Sequence, residues 1–304
     1  MAYLTVFTAT YNRADLLKNV YKSLKKQTFK DFEWLIVDDG STDGSDKVIE
    51  QLRQNADFQI RYYWKENGGN HTARNYSYPL IKTRYVISMD SDDEFADNAL
   101  QRIHDIWESI PRKDYERYWQ ISGRCKDSVT GEMLGPSYTP GINSLTGKQQ
   151  IRARVRVPDE KCCCRKTEIL IQYPFPEYRD VKFVSEDTVW NRIDQKYDTY
   201  CTNEIFRIYN NSSADSMGKG RIHSKSYRKT QWYHSVAIIN ELFDWIFFDK
   251  KVITAIFNIS RLTWLSETKY SYMLKCLNSV FKRGIVMMVS PAAWIFMKLY
   301  DKKV

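Results

Sequence analysis

Residues 86–95 read Val-Ile-Ser-Met-Asp-Ser-Asp-Asp-Glu-Phe, VISMDSDDEF. An apolar run with the pattern of a buried strand ends in four acids within five residues, Asp90, Asp92, Asp93 and Glu94. Carboxylates spaced this closely raise one another's pKa unless something positive sits among them. One reading is an acidic first turn of a helix, favoured by the positive end of the helix dipole. The other is a hard divalent cation: Mg²⁺ and Mn²⁺ take carboxylate oxygens and leave their other positions to phosphate and water.

The residues upstream supply the setting. Tyr3–Thr10 alternates as a strand, and Asn12, with Asp15 three residues on, has the look of an N-cap before Leu16, Leu17, Val20 and Leu24 at helical spacing. Phe32–Val37 is a second strand, closed by Asp38-Asp39-Gly40, and Val48, Ile49 and Leu52 mark a second helix. Ile60–Trp64 is a third strand; the loop Glu66–Asn70 then leads into a helix from about His71 to Ile81, and Tyr85–Met89 is the fourth strand. Strands separated by helices of 10–15 residues predict an α/β fold, a parallel sheet covered by helices on both faces. Ligands of such sheets bind beyond the carboxyl ends of the strands. Thr8–Asn12, Asp38–Gly40, Asn67–Asn70 and Asp90–Asp93 all fall there, so four candidate segments share one rim.

From about Glu116 to Tyr209 the pattern is mixed, with strands expected at Ile151–Val157, Cys162–Cys164 and Ile205–Tyr209, and a helix opening at Ser185-Glu186-Asp187-Thr188-Val189-Trp190. A helical tail follows, most apolar at Ala237–Phe248 and Ile285–Met297. The second run is interrupted by Ser290-Pro291 and falls short of the ~20 residues a spanning helix needs, so it is not read as transmembrane. Trp232, Trp245, Trp264 and Trp294 among Lys and Arg suit a peripheral helix on an anionic membrane surface; a helical cap on the catalytic part and a homo-oligomer interface are the alternatives. The expected division is 1–218 as the catalytic domain, with 1–100 its nucleotide-binding half and 101–218 its acceptor half, and 219–304 as a basic C-terminal segment.

Composition narrows the class. The chain has 304 residues, 43% hydrophobic and without a low-complexity tract, enough for a sizeable globular core. MAYLTVFTAT enters a strand directly, with no basic-then-apolar leader, so a cytoplasmic protein is expected. The six cysteines, Cys125, Cys162, Cys163, Cys164, Cys201 and Cys276, are then reduced thiols. Neighbouring side chains on a strand point to opposite faces, so the Cys162–Cys164 run fills space and does not converge on a metal. The net charge of +9 belongs to the tail: from Lys219 onward fifteen Lys and Arg face five Asp and Glu, while residues 1–218 come to −1. Basicity so placed gives no ground for a nucleic-acid partner.

Asp38, after the apolar run Trp34–Val37, is placed to accept a hydrogen bond from an N–H-bearing base, and Gly40 allows a close turn beside it. Asn67-Gly68-Gly69 offers backbone N–H groups at a helix start, and Arg74, a turn further on, is able to face an anion. Singly each is a turn or a cap; together on one rim they point to a nucleotide.

Three stretches carry a resemblance: TVFTATYNRADLLKNVYKSLKKQTFKDFEWLIVDDGSTDGS from Thr5, ENGGNHTARN from Glu66 and ISMDSDDEF from Ile87. In order and spacing they resemble the family 2 glycosyltransferases, inverting enzymes of the GT-A fold that use nucleotide-diphosphate sugars. The likeness is close over roughly residues 3–100, traceable through SEDTVW at 185–190 and absent after about Tyr209. It implies a GT-A, Rossmann-like mixed sheet flanked by helices, followed by the C-terminal helical segment. Asp38 would bind the nucleobase, uracil by preference, with Thr8 and Tyr11 lining its pocket; Asn67 and Arg74 would help hold the nucleotide. Asp90 would contact the ribose, and Asp92, the second acid of the DxD pair, the diphosphate-bound Mn²⁺ or Mg²⁺. His223 would complete the metal's shell as a downstream His does in some relatives, or simply be solvated; Lys219, Arg221 and Lys225 would neutralise phosphate. Asp187 would be the catalytic base, and Glu186 would serve instead or bind the acceptor sugar. Ala9 stands where members often have Pro, a departure in the loop beside the base pocket.

The chemistry agrees with these residue types. A hydroxyl attacking an anomeric carbon must lose a proton to a nearby carboxylate, and charge develops on the leaving diphosphate. Trp190, on roughly the same helix face as Asp187, reads as core. The expected function is metal-dependent, inverting transfer of a hexosyl or N-acetylhexosaminyl group from a UDP-sugar to a hydroxyl of a cell-surface glycan or its lipid-linked precursor, at the cytoplasmic membrane face. The rival is a noncatalytic nucleotide-sugar-binding or scaffold protein of a glycan-assembly complex. A Rossmann dehydrogenase is disfavoured because no GxGxxG follows the first strand.

Overall fold

The computed structural model describes residues 1–156, 160–179, 181–210, 225–246 and 249–300. The chain divides into two compact units, Met1–Phe175 with Ile193–Ala214, and Pro176–Arg192 with Asp215–Val304.

The first unit begins as a regular alternation: β1 (Leu4–Thr10), α1 (Ala14–Lys25), β2 (Phe32–Asp38), α2 (Ser45–Gln54), β3 (Gln59–Trp64), α3 (Asn70–Ser77) and β4 (Tyr85–Ser88). It continues through β5 (Glu94–Phe95), α4 (Ala99–Ser109), α5 (Arg112–Tyr115), β6 (Tyr118–Asp127), β7 (Ser144–Leu145), α6 (Gly147–Arg156), β8 (Lys161–Lys166), α7 (Thr167–Leu170), α8 (Asp187–Asp194), within which the unit boundary falls, and β9 (Asp198–Tyr209). The strands form one mixed sheet in the order β3-β2-β1-β4-β8-β6-β9-β5, with β7 on β9. β3, β2, β1 and β4 are parallel; β8 is antiparallel to both β4 and β6. Every residue of β2 is buried, as a parallel strand covered on both faces must be. Leu17, Val20 and Leu24 of α1 join Leu4, Val6, Trp34, Ile36 and Ile87 in the core. The register sets the rim: Thr10 pairs Asp38, Asp38 pairs Trp64, and Phe7 pairs Ser88, so the loops after β1, β2, β3 and β4 leave at one edge.

The helical unit contains α9 (Lys225–Ile246), α10 (Lys250–Leu265), α11 (Tyr270–Cys276) and α12 (Val280–Tyr300). Buried Trp232 ties α9 to α10 through its indole N–H on Thr263 Oγ1 at 2.8 Å, and the Ser260 and Ser290 hydroxyls meet at 2.8 Å between α10 and α12.

Several local expectations change. Ile151–Val157, alternating in sequence, is not a strand: residues through Arg156 are in α6, and 157 lies outside the described residues. The cause is a reciprocal cap, Thr146 N donating to Gln149 Oε1 at 2.9 Å and Gln149 N to Thr146 Oγ1 at 3.4 Å, which starts a helix that buries Ile151. Asn12 is not the N-cap of α1; Arg13 stands there, and Asn12 sits at φ +51°. α3 stops at Ser77 and a 3₁₀ turn, Tyr78–Leu80, replaces the expected last turn because Pro79 has no N–H to continue the ladder. Pro291 does not break α12. One missing N–H is tolerated, and the adjoining Ser290 hydroxyl is held by Val286 O and Ser260. Among the described residues α12 is the one helix long and apolar enough, by length and composition, to cross a membrane.

The cysteines are free, with Cys162 and Cys164 buried and Cys163 half-buried between them, as alternation on β8 requires.

Candidate active site

Three residues knit the rim together. Asp39, 4% exposed, accepts Gly68 N at 2.9 Å and Lys65 Nζ at 2.7 Å on Oδ1, and Gly69 N at 2.7 Å and Asn67 Nδ2 at 3.1 Å on Oδ2. The Gly68 and Gly69 N–H groups expected to face a ligand are therefore engaged by an internal carboxylate. Gly40, at φ +90°, is also explained: a Cβ there would lie 2.9 Å from Asn67 N, so its smallness admits the neighbouring loop. Asn12 does the same service on the other side. Its N donates to Ser41 Oγ and its Oδ1 accepts Thr42 N, both at 2.8 Å, while Ala14 N donates to Asp43 Oδ2 at 2.9 Å. Arg13, between them, reaches Asp92 Oδ2 at 2.9 Å and Ser91 Oγ at 3.3 Å. The loops after β1, β2 and β4 thus meet at Asn12-Arg13, and those after β2 and β3 at Asp39.

Asp38 is fully buried; its Oδ1 accepts Ser41 N at 2.7 Å and its Oδ2 the Tyr62 hydroxyl at 2.8 Å. Burial, aided by that bond to Asp38, pushes the Tyr62 hydroxyl well above its ordinary range, so it stays a donor. Thr8 is also fully buried and accepts the Trp34 indole N–H at 3.0 Å, whereas Tyr11 is half exposed. Asn67 donates to Asp39 O at 2.8 Å, and Arg74, 7% exposed, reaches Ser88 Oγ at 2.8 Å beside the acidic segment. Thr10 Oγ1, on the last residue of β1, and Asn70 Oδ1, on the first of α3, are buried without a protein partner, atoms that a polar ligand or water at the rim would satisfy.

The acids of residues 90–94 do not open a helix; they form a turn into β5. Positive charge does sit among them, from two arginines that the sequence pattern did not pair with them. Arg207 of β9, 6% exposed, lies 3.2 Å from Asp90 Oδ2, 3.1 Å from Asp93 Oδ2 and 3.1 Å from Glu160 Oε2. The Asp93 contact is ionic in distance but off the hydrogen-bond axis; the aligned bond of Asp93 is from Asn210 N at 2.8 Å. Burial pushes the Asp93 carboxyl up to about 7, with Arg207 pulling it back and Asp90 and Asp92 adding to the rise. Arg13 serves Asp92. The clue in the sequence was Arg207 itself, a lone cation in the strand IFRIY.

Among the described residues no group of three or more His, Cys, Asp or Glu is arranged to hold a metal ion. A Mg²⁺ or Mn²⁺ at a nucleotide site needs only one or two carboxylates, and Asp90 and Asp92 supply hard oxygen donors of the right kind. The donor chemistry fits the group, with Arg13 on Asp92 as the cation that a metal ion would have to displace or share with. His223, Lys219 and Arg221 lie outside the described residues, and nothing is described of the Lys225 side chain.

In the helical unit Asp187 is the electrostatic centre. It opens α8 and accepts Ser185 Oγ on Oδ1; His234 Nε2 of α9 lies 2.9 Å from Oδ1 and 3.1 Å from Oδ2, and Lys251 Nζ of α10 lies 2.6 Å from Oδ2. Burial alone would raise its pKa; His234 and Lys251 outweigh burial and hold the carboxyl far below the usual range. Neither partner carried a sequence signal, since they lie 47 and 64 residues away. Glu186 Oε2 accepts the indole N–H of Trp190, itself 6% exposed, at 3.2 Å.

The fold is that of GT-A glycosyltransferases, and residues 5–123 match the family model "Glycosyl transferase family 2". Over 246 residues the chain is 26% identical to the GalNAc(5)-diNAcBac-PP-undecaprenol beta-1,3-glucosyltransferase of Campylobacter jejuni, covering 79% of this chain and 75% of that protein. Other curated relatives extend well beyond the match: the chain spans 14% of one and 44% of another. S. aureus TarS 1-349 in complex with UDP-GlcNAc superposes with a TM-score of 0.64 at 16% identity, over 98% of this chain and 92% of that one. The mannosyltransferase PcManGT of Pyrobaculum calidifontis, in complex with GDP-Man and Mn²⁺, gives 0.50 at 15% identity, over 99% and 88%.

Proposed function

We propose that this protein transfers a sugar, with inversion, from a UDP-sugar to a hydroxyl of a cell-surface glycan or its lipid-linked precursor at the inner face of the membrane. The observation that carries the reading is the rim itself, where the parallel register brings Asp38, Asp90 and Asp92 to one edge of the sheet and Arg13 and Asp39 join the loops that carry them. Names of relatives agree, one acting on an undecaprenol-linked glycan and one solved with UDP-GlcNAc. In this reading Asp38 and Tyr11 take the nucleobase, with Thr8 setting the pocket floor through Trp34. Asn67 and Arg74 brace the nucleotide loops, Asp90 meets the ribose, and Asp92 faces the diphosphate. A bound Mn²⁺ or Mg²⁺ on Asp92 would offset the charge developing on the leaving diphosphate.

Asp187 is the base. His234 and Lys251 keep it ionised, the form a base must have, but the same contacts hold its proton affinity far below that of an ordinary carboxylate, so it accepts the hydroxyl proton only as they withdraw from it. Glu186 beside it binds the acceptor sugar. Asp187→Asn is expected to lower transfer at least about 100-fold, read as nucleotide released with acceptor present, while UDP affinity by calorimetry stays within about twofold. Wild-type turnover by that variant removes Asp187 as the base.

A further inference from the structure

The two arginines at the acidic strand end differ in kind. Arg207 is enclosed, with a side chain 8% exposed, and shares its charge among Asp90, Asp93 and Glu160. Arg13 sits at the edge: its side chain is 22% exposed and its carboxylate partner Asp92 14%. Its backbone is fixed on both sides, because Asn12 and Ala14 are hydrogen-bonded to the 41–43 loop. Its side chain is a long lever on a pinned base.

Asp92 is also the carboxylate assigned to the metal, and a divalent ion on it would sit against the positive guanidinium that lies 2.9 Å from Oδ2, so the two cations compete for one carboxylate. We infer that Arg13 is an exchangeable counter-ion: it holds Asp92 in the donor-free protein, gives Asp92 up when a divalent cation arrives with a nucleoside diphosphate, and turns to the diphosphate. The physical reason lies in charge. An ion without its phosphates competes with a cation already in place, whereas the ion–diphosphate pair brings an anion that the released planar fork is built to bind. Arg13 thereby favours the pair over the free ion. The inference rests on the metal and diphosphate roles proposed above.

The test uses Mn²⁺ and UDP as probes on the full chain. Free Mn²⁺ is followed by electron paramagnetic resonance without nucleotide, and UDP affinity in saturating Mn²⁺ by calorimetry. Arg13→Gln is expected to bind Mn²⁺ alone about two- to fivefold more tightly, the worth of a partly exposed ion pair, and UDP with Mn²⁺ about tenfold more weakly. Mn²⁺ affinity unchanged or weakened, or UDP affinity unchanged or strengthened, overturns the exchange. Arg13→Lys keeps the charge without the fork: it is expected to bind Mn²⁺ alone as the wild type does but UDP more weakly. If the Gln variant does not fold, UDP binding by Arg13→Lys at wild-type strength overturns the exchange in its place. A wild-type protein that takes up no Mn²⁺ even with UDP present removes the metal reading and the exchange with it. Failure in Arg13→Gln alone leaves that reading standing.

Discussion

Asp93 and Asp187 are both buried carboxylates facing cations, yet they are driven in opposite directions. Asp93, 1% exposed, has one guanidinium to share with Asp90 and Glu160, and its pKa is pushed up to about 7. Asp187, 9% exposed, has His234 and Lys251 to itself and is held far below the usual range. Burial penalises the charged form in both; the ratio of cations to carboxylates decides the outcome. An acid-rich cluster with too little positive charge is suited to receive a cation, while a saturated carboxylate is suited to stay ionised and in place.

Arg207→Met is expected to have the largest effect. It leaves Asp93 buried without its cation, while Asp90 and Glu160, both about half exposed, rehydrate; urea unfolding at pH 8 is expected to show a loss of about 3 kcal/mol, the low end for removing one partner of a buried ion pair. A second effect separates the two acids by pH. The folded pKa of Asp93 lies above its unfolded value, so the folded state binds the extra proton, and stability falls as pH rises from about 4 to about 7. In metal-free buffer Asp93→Asn is expected to remove a decline on the order of 3 kcal/mol over that window, and an unchanged pH profile would mean that Arg207 neutralises Asp93 after all. Asp187 has the opposite sign: its folded pKa is depressed, so its contribution is complete above about pH 4 and is lost as pH falls below that. Asp187→Asn should cost about 1–3 kcal/mol at pH 7, because His234 and Lys251 are partly exposed and can be rehydrated. The difference from wild type should shrink on acidification.

Much of the first unit was legible from sequence. β1 through β4, α1 and α2 follow from periods of 2 and 3.6, and the four rim segments were placed because the carboxyl ends of parallel strands are fixed by topology. The errors have local physical causes. Ile151–Arg156 alternates like a strand, but the Thr146–Gln149 cap and long helix-forming side chains win. Asn12, a cap by spacing, is drawn into the 41–42 loop.

By itself the sequence determined where most of the first strands run, that acids close the fourth of them, and that residues 5–123 match the glycosyl transferase family 2 model. Only the tertiary structure decided which cations meet those acids. Arg13 to Asp92, Arg207 to Asp90 and Lys251 to Asp187 are separated by 79, 117 and 64 residues. Periodicity reports which face a side chain occupies within its own element; charge pairing depends on which elements the fold sets side by side, and no local pattern encodes that.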